Sequence, residues 1–143
     1  MVMIDEFSKL VREAKAGEKT SVESAPFYTE KYGYKLNVRI LPNGSQAAKG
    51  KYLSVYICVM GGQYDAILPW PFKRKVKFTL IDQQEDTDKR ENVFEEIIPD
   101  NDPNSYARPK TQYNSSAHGV PSFISQTKLE SRRYVVNDTL HSS

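Results

Sequence analysis

The side chains best suited to catalysis or metal binding are few and far apart in this chain of 143 residues. One cysteine, Cys58, and two histidines, His118 and His141, are too few for the usual zinc ligand sets. No serine has a G-x-S-x-G frame around it, and Gly61-Gly62 belongs to a turn between strands rather than to a phosphate-binding loop. We therefore predict that the chain is not an enzyme and has no metal or cofactor.

The charged side chains form one local basic patch and otherwise nearly cancel. The patch consists of Lys73, Arg74, Lys75 and Lys77. Two interpretations remain open for it, a solvent-facing start of a strand or a site for an anionic partner such as a lipid headgroup. Lys and Arg total 20 against 18 Asp and Glu, so the overall charge of +2 favours neither nucleic acid nor a membrane. A single cysteine fits a reducing compartment, and we expect a cytoplasmic protein.

Alternating polarity predicts the strands that must position any binding surface. Apolar residues occupy every second position from Leu53 to Val59 and again from Val76 to Leu80. Between them lies the block Leu68–Phe72, in which two prolines around the only tryptophan exclude a helix or a central strand. The pattern indicates two strands joined by a corner, which would carry the chain from one layer of a β-sandwich to the other.

The rest of the chain favours one antiparallel domain over residues 1–143. Phe7, Leu10, Val11 and Ala14 have the spacing of one helix face, which predicts a short helix near the N-terminus that ends at Gly17. Further strands are predicted over 2–4, 20–24, 32–40, 92–98, 121–125 and 134–136, and one helical turn over 128–133. The polar segments 82–91 and 99–105 are predicted to be solvent loops.

The corner also carries a family resemblance. Its sequence Tyr64-Asp-Ala-Ile-Leu-Pro-Trp-Pro-Phe72 resembles the C-terminal domain of the TRAF (tumour-necrosis-factor-receptor-associated factor) family, the TRAF-C or MATH domain. Other blocks match in the same order, namely Phe27-Tyr28-Thr29, Tyr32-Gly33-Tyr34-Lys35-Leu36, Leu53-Ser54, Arg108-Pro109 and Asn137-Asp138-Thr139. The resemblance covers nearly the whole chain and is closest to the type-4 and type-6 members.

The resemblance implies an all-β, eight-stranded antiparallel sandwich without catalysis of its own. Domains of this family bind short extended segments of receptor tails and adaptors by adding them to a sheet edge. The partners would be TNF-receptor or Toll/interleukin-1-type receptors. Such modules trimerise through a preceding coiled coil, so we expect a homotrimer with that segment attached and mostly a monomer without it.

The resemblance also assigns a peptide-binding site. Arg39 would meet the acidic or aromatic end of the peptide, Tyr56 would line the pocket floor, and Tyr106 would pack on the peptide's apolar residue. The remaining assigned residues are Leu41, Ile97, Ile98, Asn104, Ser105, Ser116, Ala117, His118, Gly119 and Val120. Of these, Ser116–Gly119 would pair with the peptide backbone, and His118 and Val120 stand where the type-6 member has two aromatics.

Departures from the family pattern limit the ligand that is expected. Several members have a tyrosine and an aspartate where this chain has Leu41 and Ser45, and three serines where it has Pro103-Asn104-Ser105. We therefore expect a motif with an acidic or apolar centre rather than a glutamine. The first and last strands look incomplete. Two alternatives remain, a phosphoinositide-binding module and a substrate-recruiting MATH domain of the ubiquitin pathway.

Overall fold

A computed structural model describes residues 2–100, 102–114, 116–136 and 139–142 of the chain. Side chains are described throughout these ranges except at residues 2, 3, 46 and 139–142. The strands are β1 (Val2–Ile4), β2 (Val22–Glu23), β3 (Phe27–Tyr28), β4 (Lys35–Leu41), β5 (Tyr52–Met60), β6 (Val76–Leu80), β7 (Val93–Ile97), β8 (His118–Ser125), β9 (Val135–Val136) and β10 (Thr139–Ser142). The helices are α1 (Phe7–Lys15), α2 (Pro103–Tyr106) and α3 (Gln126–Ser131).

These strands form two antiparallel sheets with four strand positions in each. In the first sheet the order is β1-β10-β6-β7, with β9 on the same side of β10 as β6. In the second sheet the order is β2-β4-β5-β8, and β2 and β3 follow one another along the same side of β4. When the two interrupted positions are counted once each, the sandwich has eight strands. The predicted eight-stranded antiparallel sandwich is confirmed.

The predicted corner connects the two sheets. β5 lies in the second sheet and β6 in the first, so the segment between them crosses from one layer to the other. Aromatic contacts hold this crossing: the ring of Tyr34 packs edge-to-face on Trp70 (5.1 Å) and Phe72 (4.8 Å). The Tyr34 hydroxyl also donates to the Pro69 carbonyl, and the Trp70 indole donates to the Asp65 carbonyl (2.9 Å).

The core is divided into two apolar clusters between the sheets. One cluster includes Phe7 of α1 together with residues of β4, β5, β6 and β8, and the predicted helix face of α1 is confirmed by the burial of Phe7 and Ala14. The other cluster gathers Phe72, Ile97 and Tyr106 against β4 and β5. The second cluster lies under the end of the sandwich where the predicted binding residues are found.

Three predictions of local structure were wrong in part. The alternating polarity of β5 is typical of a strand with one exposed face, but on that face only Tyr52 and Tyr56 are partly exposed, because Ser54 and Cys58 are buried. Asp82, predicted to open a solvent loop, is fully buried and accepts a hydrogen bond from Arg132 (2.8 Å). The predicted loop over 99–105 contains the start of α2, whose first turn is capped by Asp102. Of the described helices, none is long and apolar enough to span a membrane.

Candidate peptide-binding edge

β8 forms an edge of the second sheet. It pairs with β5 on one side, and among the described residues no strand pairs with its other side. Pro121 within β8 fits this position, because proline cannot donate to a ladder and is confined to edge strands and bulges. A bulge is present: Val120 pairs with Val55 and Ile124 with Leu53, so three residues of β8 stand opposite one residue of β5. Before the bulge, His118, Gly119 and Val120 pair regularly with β5, and this is the part of β8 whose other side is unpaired within the described residues and regular enough to accept a strand.

Three of the predicted site residues form one row across this sheet, together with Glu23. Glu23 pairs with Arg39, Arg39 with Tyr56, and Tyr56 with Gly119, so the row spans β2, β4, β5 and β8. The row ends at the free edge, where Gly119 allows very close strand approach: a Cβ there would lie 2.0 Å from the Val55 carbonyl oxygen. Sequence spacing alone does not reveal this row, because its members come from four separate segments.

The Arg39 side chain is already paired within the chain. Its guanidinium donates to the Glu23 carboxylate at 2.9 and 3.1 Å, and both side chains are partly exposed. The same guanidinium lies 3.8 Å from the sulfur of Cys58. The pKa of the Cys58 thiol is raised, because the effect of burial is larger than the lowering effect of the nearby Arg39 charge. Glu23 was absent from the predicted site, and the register of β2 against β4 is the observation that adds it.

Tyr56 belongs to a cluster of hydroxyls, of which only Tyr56 was predicted to lie in the site. Its hydroxyl shares a hydrogen bond with Ser45 Oγ (2.5 Å), and Ser45 also contacts the fully buried Ser54. Ser54 Oγ donates to the Pro121 carbonyl in the β8 bulge (2.6 Å). These bonds connect β5 to β8 just beside the free edge. Leu41 stands opposite Ser54 on β4 and is half-buried.

Three other residues of the predicted site, His118, Val120 and Tyr106, lie on the core side of the sheet, and of these only Tyr106 is buried. His118 pairs with the buried Ile57, and Val120 packs against both apolar clusters. Tyr106 is only 1 % exposed and its hydroxyl hydrogen-bonds to His118 Nδ1. Burial, followed by the nearby carboxylates Asp100 and Asp102, raises the pKa of Tyr106 to about 12. Tyr106 thus lies beneath the edge rather than on its surface.

α2 is tied to the start of β8 by polar contacts. Ser105 Oγ and Ser116 Oγ hydrogen-bond at 2.9 Å, and the Ser116 amide donates to the Asn104 carbonyl (3.1 Å). Ala117 is half-buried between them and β8. The structure therefore brings together Asn104, Ser105, Ser116 and Ala117 at one end of the free edge.

Two predicted apolar wall residues lie apart from this row. Ile97 belongs to β7 of the first sheet and is 3 % exposed within the second core cluster. Ile98 follows it and is 62 % exposed. The side chain of His141 lies outside the described residues. No group of three or more His, Cys, Asp or Glu residues in the described part of the chain is arranged to hold a metal ion.

The basic patch is largely paired within the chain. Arg74 forms a salt bridge with Glu30, Lys75 lies 3.5 Å from Glu96, and Lys77 lies over the ring of Phe94 (4.2 Å). Lys73 is exposed. Three of its four cations thus have partners on neighbouring segments, which favours the interpretation as a solvent-facing strand start.

Comparison with known proteins identifies the class. The model of the TRAF/meprin MATH domain matches residues 19–142, and the chain therefore belongs to this family. It is 41 % identical to TNF receptor-associated factor 1 of Mus musculus over 96 % of this chain and 33 % of the relative. It is 34 % identical to TNF receptor-associated factor 6-B of Xenopus laevis over 94 % of this chain and 24 % of the relative. The chain thus spans a third or less of these relatives' length.

A solved structure gives the same result for the fold. TRAF5 of Notothenia coriiceps superposes with a TM-score of 0.90 at 31 % identity, covering 99 % of this chain and 69 % of that chain. The expectation that the chain is closest to the type-4 and type-6 members is not supported for type 6, because the type-1 relative is more similar to this chain than the type-6 relative is.

Proposed function

We propose that this domain is a non-enzymatic signalling adaptor module that binds extended peptides along the free edge of β8. The observation that carries the proposal is the edge itself, a strand paired on one side only within the described residues. A peptide that adds to such an edge gains main-chain hydrogen bonds irrespective of its sequence. Because an unpaired edge otherwise invites aggregation, its retention in the fold fits a binding role.

The row from Glu23 to Gly119 would read the side chains of that peptide. Successive residues of an added strand point to alternate faces, so every second side chain would lie over the outer face that carries Arg39 and Tyr56. Arg39 would meet an acidic or aromatic group, and that group must compete with Glu23. The hydroxyls of Tyr56 and Ser45 offer polar contacts beside it. Tyr106 and Ile97, both buried, would support the site from below.

The partners we propose are receptor tails and adaptors of the TNF-receptor and Toll/interleukin-1 type, in the cytoplasm. The names of the relatives support the first of these classes, since they are TNF receptor-associated factors. A single exposed edge binds weakly, so the complete protein would gain avidity by presenting three such domains in a homotrimer.

Peptide arrays followed by calorimetric titration test the proposal. We expect bound peptides to lose most of their affinity for the Arg39→Ala and Tyr56→Ala variants, with far-UV circular dichroism confirming that both variants remain folded. Arg12→Ala, on the exposed face of α1, is the matched control. Only every second amide of an added strand donates to the edge. N-methylation of those amides should abolish binding, whereas N-methylation of the intervening amides should not. Equal tolerance of both sets of N-methylated amides would exclude strand addition as the binding mode.

A further inference from the structure

A pocket lined by both polar and apolar groups lies beside the proposed peptide edge and is not used by the strand-pairing mechanism. It has a volume of about 360 Å³ and is open to solvent on one side. It is formed between α2 and the following segment, and its lining residues are Pro103, Asn104, Ala107, Arg108, Lys110, Thr111, Tyr113 and Asn114. This lining includes two cations, two amides and two hydroxyls, and no carboxylate.

The walls of this pocket are held by hydrogen bonds. The Asn114 side-chain amide donates to the carbonyls of Ser105 (2.9 Å) and Ala107 (2.8 Å), and its backbone amide donates to the Val59 carbonyl (3.1 Å). The Gly61 amide donates to the Gln112 carbonyl (2.8 Å). The loop is thus fixed both to α2 and to the end of β5, which keeps the pocket formed without a ligand.

The two cations of the pocket, like most other Lys and Arg side chains of the described residues, lie outside the ion pairs found there. Arg108 and Lys110 are exposed, and no ion pair involves either of them within the described residues. The nearest carboxylate along the chain, Asp102, is engaged by the Asn104 amide and Ser105 Oγ at the start of α2. An arginine fork and an ammonium together favour a carboxylate or a phosphate group.

The position of the pocket relates it to the peptide edge. Asn104 lines the pocket, and its carbonyl accepts the hydrogen bond from Ser116, two residues before β8. A strand added to β8 that continues past His118 would therefore arrive at this pocket. Resting on the proposed function, we propose that the pocket binds an anionic side chain, a carboxylate or a phosphate, that flanks the strand-paired part of the same peptide.

Small probes test the pocket independently of strand pairing. N-acetyl amides of glutamate, phosphoserine and glutamine, and inorganic phosphate, are titrated into the isotope-labelled chain while amide resonances are recorded. We expect the two anionic amino-acid probes, and not glutamine, to shift the resonances of Thr111 and the Asn114 side chain. The shifts should vanish in Arg108→Gln/Lys110→Gln and persist in the charge-matched Arg12→Gln/Lys15→Gln. Shifts that are absent, or unchanged in the pocket variant, overturn the proposal.

Extended peptides distinguish this proposal from the proposed function. A peptide selected by the array is lengthened, on the side that lies beyond His118, with glutamate, phosphoserine or glutamine. The anionic extensions should raise affinity about two- to fivefold, as expected for partly exposed ion pairs, and the gain should shrink with added salt. If the parent peptide binds but neither anionic extension improves affinity, the pocket proposal fails and the edge stands. If no peptide shifts the amide resonances of β8, the proposed function fails. The titration with small probes then decides by itself whether the pocket binds anions.

Discussion

Arg39 and Tyr56 stand directly opposite each other on β4 and β5, and each has its polar end occupied by a residue from another segment. Glu23 holds the guanidinium of Arg39 at 2.9 Å, and Ser45 holds the hydroxyl of Tyr56 at 2.5 Å. The pair is thus positioned before any ligand arrives. A peptide that binds here exchanges these contacts for its own, so its affinity depends on how strongly each internal partner competes.

Removing the internal competitor of Arg39 should strengthen binding of acidic peptides. In Glu23→Gln the guanidinium keeps a hydrogen-bond acceptor but loses the opposing charge, so a peptide glutamate at this position should bind about two- to fivefold more tightly. The free energy of unfolding should change by less than about 1 kcal/mol, because the pair is partly exposed. Calorimetry with glutamate- and glutamine-bearing peptides measures the difference. Glu18→Gln has the same change of charge at an exposed position, and an equal gain there would contradict the mechanism.

The close approach of β8 to β5 at Gly119 should not tolerate a side chain. A Cβ added there would lie 2.0 Å from the Val55 carbonyl oxygen and 2.6 Å from Tyr56 Cα, so Gly119→Ala must move β8 away from β5. We expect the free energy of unfolding to fall by about 1–3 kcal/mol, as for other overpacked positions. Peptide affinity should fall as well, because the free edge moves. Chemical denaturation measures the first effect and peptide titration the second. Ser122→Ala, at an exposed position of the same strand, is the reference variant for both.

Asp82 should stabilise the fold only while it is ionised. Its buried carboxylate accepts hydrogen bonds from Arg132 Nε (2.8 Å) and the Glu91 amide (2.9 Å). Asp82→Asn replaces the charged carboxylate by a neutral amide. We expect the free energy of unfolding to fall by about 1.5–3 kcal/mol. Urea denaturation at neutral pH measures this loss. Asp88→Asn, exposed in the same loop, should have little effect.

The same carboxyl predicts the acid dependence of stability. Burial alone would raise the pKa of Asp82, but the hydrogen bonds from Arg132 and Glu91, with the charge of Arg132, hold it below its ordinary value of 3.8. Its contribution is therefore present above the unfolded pKa and is lost as the pH falls through the lower folded pKa. As the pH falls below about 4, wild type should lose more stability than Asp82→Asn. If the free energy of unfolding falls equally with pH in wild type and Asp82→Asn, this account is wrong.

Tyr106 should limit stability at alkaline pH. Burial raises its pKa from 10.0 to about 12, so its contribution is complete below the unfolded pKa and is lost as the pH rises from about 10 to 12. Tyr106→Phe should lose less stability over this interval than wild type, while giving up about 0.5–1.5 kcal/mol at neutral pH with the hydrogen bond to His118. Denaturant titrations across this pH range, with the exposed Tyr113→Phe as control, measure both effects.

The sequence by itself determined the class of fold and the order of its main strands. Polarity that alternates every second residue in β5 and β6 is a local property, and the prolines around Trp70 exclude regular structure between them whatever the rest of the chain does. The helix face from Phe7 to Ala14 is local in the same way. The resemblance carried by the corner also led to the family to which the chain belongs.

Only the tertiary structure decided which residues share the site. Register between strands places Glu23, Arg39, Tyr56 and Gly119 in one row although they are distant in sequence. The packing of α2 buries Tyr106 and brings its hydroxyl to His118. The tertiary structure also buries Asp82 beside Arg132, fifty positions away, where local composition predicts a solvent loop. The reason is that strand pairing and burial depend on contacts between distant segments, which the polarity of a local stretch does not specify.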